Sequence, residues 1–251
     1  MAEVRYPAPQ GDVPGYLATP NAAGPFPGVV VIMDVFGMSD DLRQQCERLA
    51  GAGYLALAPD FYAWGSKIRC LRATFAALRS GTGRPFQEIE AAQAWLAQRH
   101  DCTARVGVIG FCMGGGFALL AAPRYGFAAS SVNYGQVPKD ADRLLRGSCP
   151  VVASYGGRDR SLKRQAARLE SVLETLGIEH DVKEYPEVGH AFMNHHTGIL
   201  GRSMRVFGVR YDRAASEDSW RRILSFFQEH LKSARAIVPD RDPGGSAAAR
   251  S

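Results

Sequence analysis

Apolar residues run continuously in four short stretches: Val29 to Met33 (VVVIM), Tyr54 to Ala58 (YLALA), Val106 to Ile109 (VGVI) and Val151 to Tyr155 (VVASY). A run without polar alternation predicts a strand covered on both faces, as in a parallel sheet. Between these runs lie amphipathic stretches with helical spacing: Ser39 to Ala52, Ser66 to Arg79, Pro85 to Arg99, Met113 to Ala122 and Leu162 to Leu176. A further strand is predicted at Val182 to Tyr185. A final helix at about Ser216 to Leu231 places Trp220, Ile223, Leu224, Phe227 and Leu231 on one face. Strand and helix in alternation predict a mostly parallel central sheet with helices on both faces.

No repeat and no Pro/Gly/Ser linker divides the chain before residue 235, so residues 1–234 are expected to form one domain. The tail Arg235 to Ser251 (RAIVPDRDPGGSAAARS) has no helical periodicity and is expected to be disordered. A length of 251 residues suits a single large α/β domain, and 46% hydrophobic with 22% charged residues is ordinary for a globular protein.

Charge and cysteine content narrow the function classes. The net charge of +5 comes from basic residues scattered among acids, without the basic run that nucleic-acid binding calls for. Met1 to Gln10 lack the apolar core of a signal peptide and no stretch is long enough to span a membrane, which leaves the cytoplasm as the expected location. Cys46, Cys70, Cys102, Cys112 and Cys149 are odd in number and unpaired in spacing, against both a disulfide framework and a zinc knuckle.

In open α/β sheets ligands bind beyond the carboxyl ends of the strands, so chemistry is sought in the residues after each apolar run. After Val106 to Ile109 comes Gly110-Phe111-Cys112-Met113-Gly114-Gly115-Gly116, then the helical FALLAA. This is the nucleophile-elbow pattern G-x-S-x-G with cysteine in the serine position. Glycines at 110 and 114 suit a sharp strand-to-helix turn, and a helix N-terminus favours a thiolate. A glycine-rich turn around a buried structural cysteine is the alternative reading. A phosphate loop is disfavoured, since neither GxGxxG nor GxxxxGK[ST] is present. An α/β hydrolase requires nucleophile, acid and histidine in that order. Asp159 follows Val151 to Tyr155 in Gly-Gly-Arg-Asp, and His190 follows Val182 to Tyr185 in Gly-His-Ala-Phe, so the three lie at successive predicted strand ends. His195 and His196 make an HxxxxHH tract without further metal-ligand spacing, and no metal is expected there.

Gly-Phe-Cys-Met-Gly-Gly, Gly-Gly-Arg-Asp and Gly-His-Ala-Phe, with Met-Asp-Val-Phe-Gly and Ala-Pro-Asp-Phe-Tyr upstream, resemble the dienelactone hydrolase family from about Gly15 to Leu231. The resemblance implies an α/β-hydrolase fold without a large cap domain, a Cys112–His190–Asp159 triad, and neither metal nor organic cofactor. It also sets two departures. The family's better-known members carry glutamate where this chain has Asp34, a carboxylate that engages the resting thiol; aspartate keeps the charge but is one methylene shorter. Dienelactone-cleaving members carry a substrate-binding arginine where this chain has Asn194, which has no charged, bidentate grip. Arg69 and Arg72 are alternative basic contacts for a substrate.

The expected chemistry is hydrolysis of a small ester or lactone through a thioester, with Met113 and Val35 N–H groups as the oxyanion hole. An acyltransferase using the same thioester, a catalytically silent ligand-binding protein and a redox-sensing thiol are the rivals. The expected partner is a small molecule, with no nucleic acid or membrane, and the expected state a monomer or small homo-oligomer.

Overall fold

The structure, a computed structural model, describes residues 1–196 and 210–232. The proposed tail, 235–251, lies outside the described residues. Among the described residues eight strands form one sheet, in the order β1-β2-β4-β3-β5-β6-β7-β8. They are β1 (Ala2–Ala8), β2 (Gly11–Ala18), β3 (Phe26–Ile32), β4 (Leu55–Pro59), β5 (Cys102–Phe111), β6 (Ala129–Asn133), β7 (Val151–Gly156) and β8 (His180–Tyr185). Every pairing from β4 through β3 and β5 to β8 is parallel; the β1–β2 and β2–β4 pairings are antiparallel.

Helices α1 (Asp40–Gly51), α2 (Lys67–Ser80), α3 (Arg84–Ala97), α4 (Met113–Ala121), α5 (Ala141–Leu144), α6 (Gln165–Thr175) and α7 (Arg213–Phe227) fill the connections. Their ends follow local chemistry. Ser39 caps α1 by accepting from the Leu42 N–H, Ser66 caps α2 through Arg69, Asp212 caps α7 through Ala215, and Gly81 closes α2 in the left-handed conformation. Among the described residues no inserted cap domain covers the carboxyl edge of the sheet.

The continuous apolar runs are buried as their pattern requires: Val29 to Met33 and Ala56 to Ala58 are sealed from solvent. Two strand regions depart from the expectation. The hairpin β1–β2 has one partly solvated face and mixed composition, so it carries no continuous apolar run. Strand β6 reads Ala-Ser-Ser-Val-Asn yet is wholly buried. Its polar side chains are accommodated by internal hydrogen bonds: Ser130 Oγ donates to the Ala118 carbonyl at 3.0 Å, and Asn133 Nδ2 to the Gly110 carbonyl at 3.2 Å. Because β6 stands between β5 and β7, Cys112 and Asp159 do not follow successive strands, which corrects the sequence expectation. The segment expected as one helix from Leu162 is a 3₁₀ turn, Arg160–Leu162, followed by α6.

Buried Glu88 on α3 pairs with Arg84 at 2.9 Å. Burial raises its carboxyl to about 7 despite that ion pair. The folded state therefore keeps a proton that the unfolded chain has already released, and stability falls as pH rises from the ordinary carboxylate range through 7. Glu88→Gln, neutral throughout, is expected to lose less stability over that interval, by on the order of 2 kcal/mol. Urea unfolding at pH 5 and pH 8 checks this; equal losses in both proteins would remove Glu88 as the cause.

Candidate active site

Strand β5 ends at Phe111 and α4 begins at Met113, leaving Cys112 alone to turn the chain at φ 56° and ψ −116°. Such a conformation costs a non-glycine residue about 1–3 kcal/mol and persists only where its surroundings enforce it. They do so here. The Cys112 N–H donates to the Asn133 carbonyl of β6 at 3.0 Å, and its carbonyl accepts from the Gly115 N–H at 3.0 Å. A Cβ on Gly110 would stand 1.9 Å from the Gly114 carbonyl oxygen, and one on Gly114 would stand 2.3 Å from that of Ile32. Only glycine lets strand and helix approach so closely. The side chain of Cys112 thus stands half-buried at the first turn of α4, whose unpaired N–H groups favour negative charge.

The loops after β7 and β8 are joined by their backbones. Gly157 N–H donates to the Tyr185 carbonyl at 2.8 Å and Arg158 N–H to that of Val188 at 2.9 Å, which holds Asp159 beside the loop carrying His190. His190 Nε2 lies 3.0 Å from Cys112 Sγ, and His190 Nδ1 lies 2.5 Å from Asp159 Oδ2. The other oxygen of Asp159 accepts from the Ser161 N–H at 2.9 Å and from its hydroxyl at 2.5 Å, so the carboxylate is fixed on both sides. Burial opposes charge on His190, but hydrogen bonds with Asp159 and Cys112 outweigh it and raise the imidazolium to about 10. Burial likewise raises the Asp159 carboxyl, and its bonds to His190 and Ser161 bring it below its usual value.

The ring of Tyr134, buried after β6, meets the His190 ring edge-on with centroids 5.3 Å apart. Its hydroxyl donates to Asn194 Oδ1, while Asn194 Nδ2 donates to Asp41 Oδ2 at 2.6 Å. Asp41, buried on α1, also accepts from the His195 N–H at 2.7 Å. This chain of bonds ties the histidine loop to α1 and β6. Nothing in the immediate sequence marked Tyr134 or Asp41. One lies beside an unrecognised strand, and the other reads as a first-turn helix aspartate.

Asp34 is buried beyond β3. One carboxylate oxygen accepts from the Phe36 N–H at 2.8 Å and the other lies 3.1 Å from His196 Nε2, whose ring packs on Phe36 at 4.3 Å. Burial lowers the affinity of His196 for a proton, but the bond to Asp34 prevails and raises it. His196 therefore belongs to the environment of Asp34, a pairing that the histidine tract alone did not reveal. Val35 follows Asp34, and its carbonyl accepts from the Tyr62 hydroxyl at 3.2 Å, which orients the Val35–Phe36 peptide. Met113 N–H is the first of α4. Arg69 and Arg72 are exposed on α2, and Arg69 donates to the Trp64 carbonyl at 3.2 Å.

The model of the dienelactone hydrolase family matches residues 13–231. The chain belongs to the dienelactone hydrolase family. It is accordingly a carboxylic ester or lactone hydrolase. A protein of Methylorubrum extorquens provisionally named carboxymethylenebutenolidase is 29% identical over 245 residues, covering 91% of this chain and 80% of that protein. One of Escherichia coli K12 with the same provisional name is 28% identical, covering 88% and 84%. Among solved structures, a provisionally named dienelactone hydrolase from Klebsiella pneumoniae superposes with a TM-score of 0.76 at 26% identity, over 91% of this chain and 98% of that one. A dienelactone hydrolase-like promiscuous phosphotriesterase from metagenomic libraries shares the fold, with a TM-score of 0.73 at 23% identity over 92% and 98%. No helix among the described residues is long and apolar enough to cross a membrane.

Proposed function

We propose that this dienelactone hydrolase family member cleaves small esters or lactones through a thioester on Cys112, with His190 as proton carrier and Asp159 as its orienting acid. The observation that supports the reading is the unbroken line of contacts from Cys112 Sγ through His190 to Asp159 Oδ2, at 3.0 and 2.5 Å.

In the acylation step the sulfur electron pair of Cys112 forms a bond to the substrate carbonyl carbon, and the C=O pair moves onto oxygen. The N–H groups of Met113 and Val35 donate to that oxyanion. Its collapse expels the alkoxide, which takes the thiol-derived proton from His190. Water then donates a proton to His190 as its oxygen attacks the thioester; the C–S bond breaks with its pair on sulfur, which takes the proton back from His190, and the carboxylic acid leaves. Asp159 holds the imidazole in the tautomer with Nδ1–H and steadies the imidazolium. No metal or organic cofactor takes part in this scheme.

In the same reading Asp34 acts beside the thiol in company with His196, and Arg69, Arg72 and Asn194 bear on substrate binding. Asn194 acts there through Tyr134 and Asp41, since its amide is occupied by both. The five thiols, none in a disulfide, accord with a reducing cytoplasmic compartment, where the protein would work as a monomer or small homo-oligomer without nucleic acid or membrane.

The test is a panel of small esters and lactones with product analysis, in the presence and absence of alcohol or amine acceptors. Free acid as the main product from at least one substrate is the expected outcome. Predominant transfer to the acceptor would make the protein an acyltransferase, and no turnover of any substrate would make it a binding protein. Asp34→Asn in the same panel is expected to lower the acylation rate more than it raises KM; an unchanged rate would remove Asp34 from the chemistry.

A further inference from the structure

At the end of the sheet opposite the triad, α7 runs into one turn of π-helix, Gln228–Lys232. Wide turns of this kind are rare and concentrate at functional sites. His230 in that turn is 3% exposed, and its Nε2 makes no hydrogen bond. A buried imidazole nitrogen left so is costly unless something else satisfies it. It points at carboxylates. Glu179, the residue before β8, places Oε1 at 3.4 Å from Nε2, and a Glu229 oxygen completes a group whose three ligand atoms all lie within 4.8 Å of one another.

We infer that Glu179, Glu229 and His230 form a binding site for a divalent transition-metal ion of the zinc type. Ligands about 2.1 Å from a tetrahedral ion stand about 3.4 Å apart, the separation found between Nε2 and Glu179 Oε1. One imidazole and two carboxylates suit Zn²⁺, Co²⁺ or Ni²⁺ better than Ca²⁺ or Mg²⁺, which prefer oxygen alone. Two carboxylates neutralise the dication, and three protein ligands leave a fourth position for water.

The surroundings prepare the imidazole. The Phe226 ring lies against it with centroids 4.3 Å apart, and the Arg105 guanidinium donates to the His230 carbonyl and fixes the turn. Lys232 at the end of the same turn donates to the Ala52 carbonyl at 2.8 Å. Glu179 and Glu229 are exposed, so an ion reaches them from solvent without opening the core. Bound there, it ties the end of α7 to the start of edge strand β8, remote from Cys112, which lies at the carboxyl end of β5. The role is a structural staple.

Cobalt(II) titration of the full chain, followed by absorption spectroscopy and calorimetry, tests the site. One ion per chain is expected, with d–d bands, no thiolate-to-cobalt charge transfer and a rise in melting temperature. Glu229→Gln and Glu179→Gln should each weaken binding at least about tenfold and leave ester hydrolysis unchanged. His230→Gln should abolish binding. A thiolate band would place the ion on a cysteine and overturn the assignment. So would the absence of binding, or full binding by both glutamine variants at the exposed glutamates.

Discussion

Replacing Cys112 with alanine is expected to lower ester hydrolysis at least about 10⁴-fold, the scale seen when a covalent nucleophile is removed from a triad. The fold should survive, because alanine at φ 56° meets the same backbone constraint as cysteine and removes only one atom from a half-buried position. Cys112→Ser should retain a trace of activity: a hydroxyl is a far weaker acid than a thiol, so the His190 imidazole would have to remove a more tightly held proton. Initial rates with a reactive ester, beside thermal melting of each variant, check the pair. Wild-type rates in a well-folded alanine variant would place the chemistry elsewhere.

The second large effect is structural. Gly110→Ala puts a methyl group 1.9 Å from the Gly114 carbonyl oxygen, a backbone atom with no freedom to swing aside, so the first turn of α4 must leave β5. Overpacking against a backbone is expected to cost more than about 3 kcal/mol, roughly 10 °C in melting temperature for a chain of this size. It also displaces Cys112 from His190, so activity should vanish even at temperatures where the variant stays folded. Gly126→Ala is the control. Gly126 has a positive φ, 68°, which Gly110 does not, but nothing lies within 4 Å of an added Cβ, so only backbone strain of about 1–2 kcal/mol is expected. Equal melting temperatures in the two variants would show that the elbow is not tightly held.

The candidate site was legible where its chemistry forces sequence. A nucleophile elbow needs Gly110 and Gly114 flanking Cys112, and the triad order puts Asp159 and His190 after later strands, so these three positions stand out from spacing alone. The sheet interior was legible from β3, β4, β5 and β7 because parallel strands buried on both faces leave continuous apolar runs. Strand β6 was not, since Ser130, Ser131 and the Asn133 amide nitrogen are buried with hydrogen-bond partners inside the fold, which sequence hydropathy does not record. The supporting contacts were not legible either. The Asp41–Asn194–Tyr134 chain joins residues that lie 60 and 153 positions apart. The Asp34–His196 pair depends on how the histidine loop returns over β3. Long-range polar contacts of this kind leave no local period to read.

The central claim, a covalent thioester on Cys112, is tested most directly by rapid mixing with an activated ester, acid quench and intact-mass analysis followed by peptide mapping. The predicted result is a mass increase of one acyl group per chain, localised to Cys112, appearing with a stoichiometric burst of alcohol and removed by neutral hydroxylamine. An acyl group on another residue, or continued turnover by protein fully carboxamidomethylated at Cys112, would contradict it.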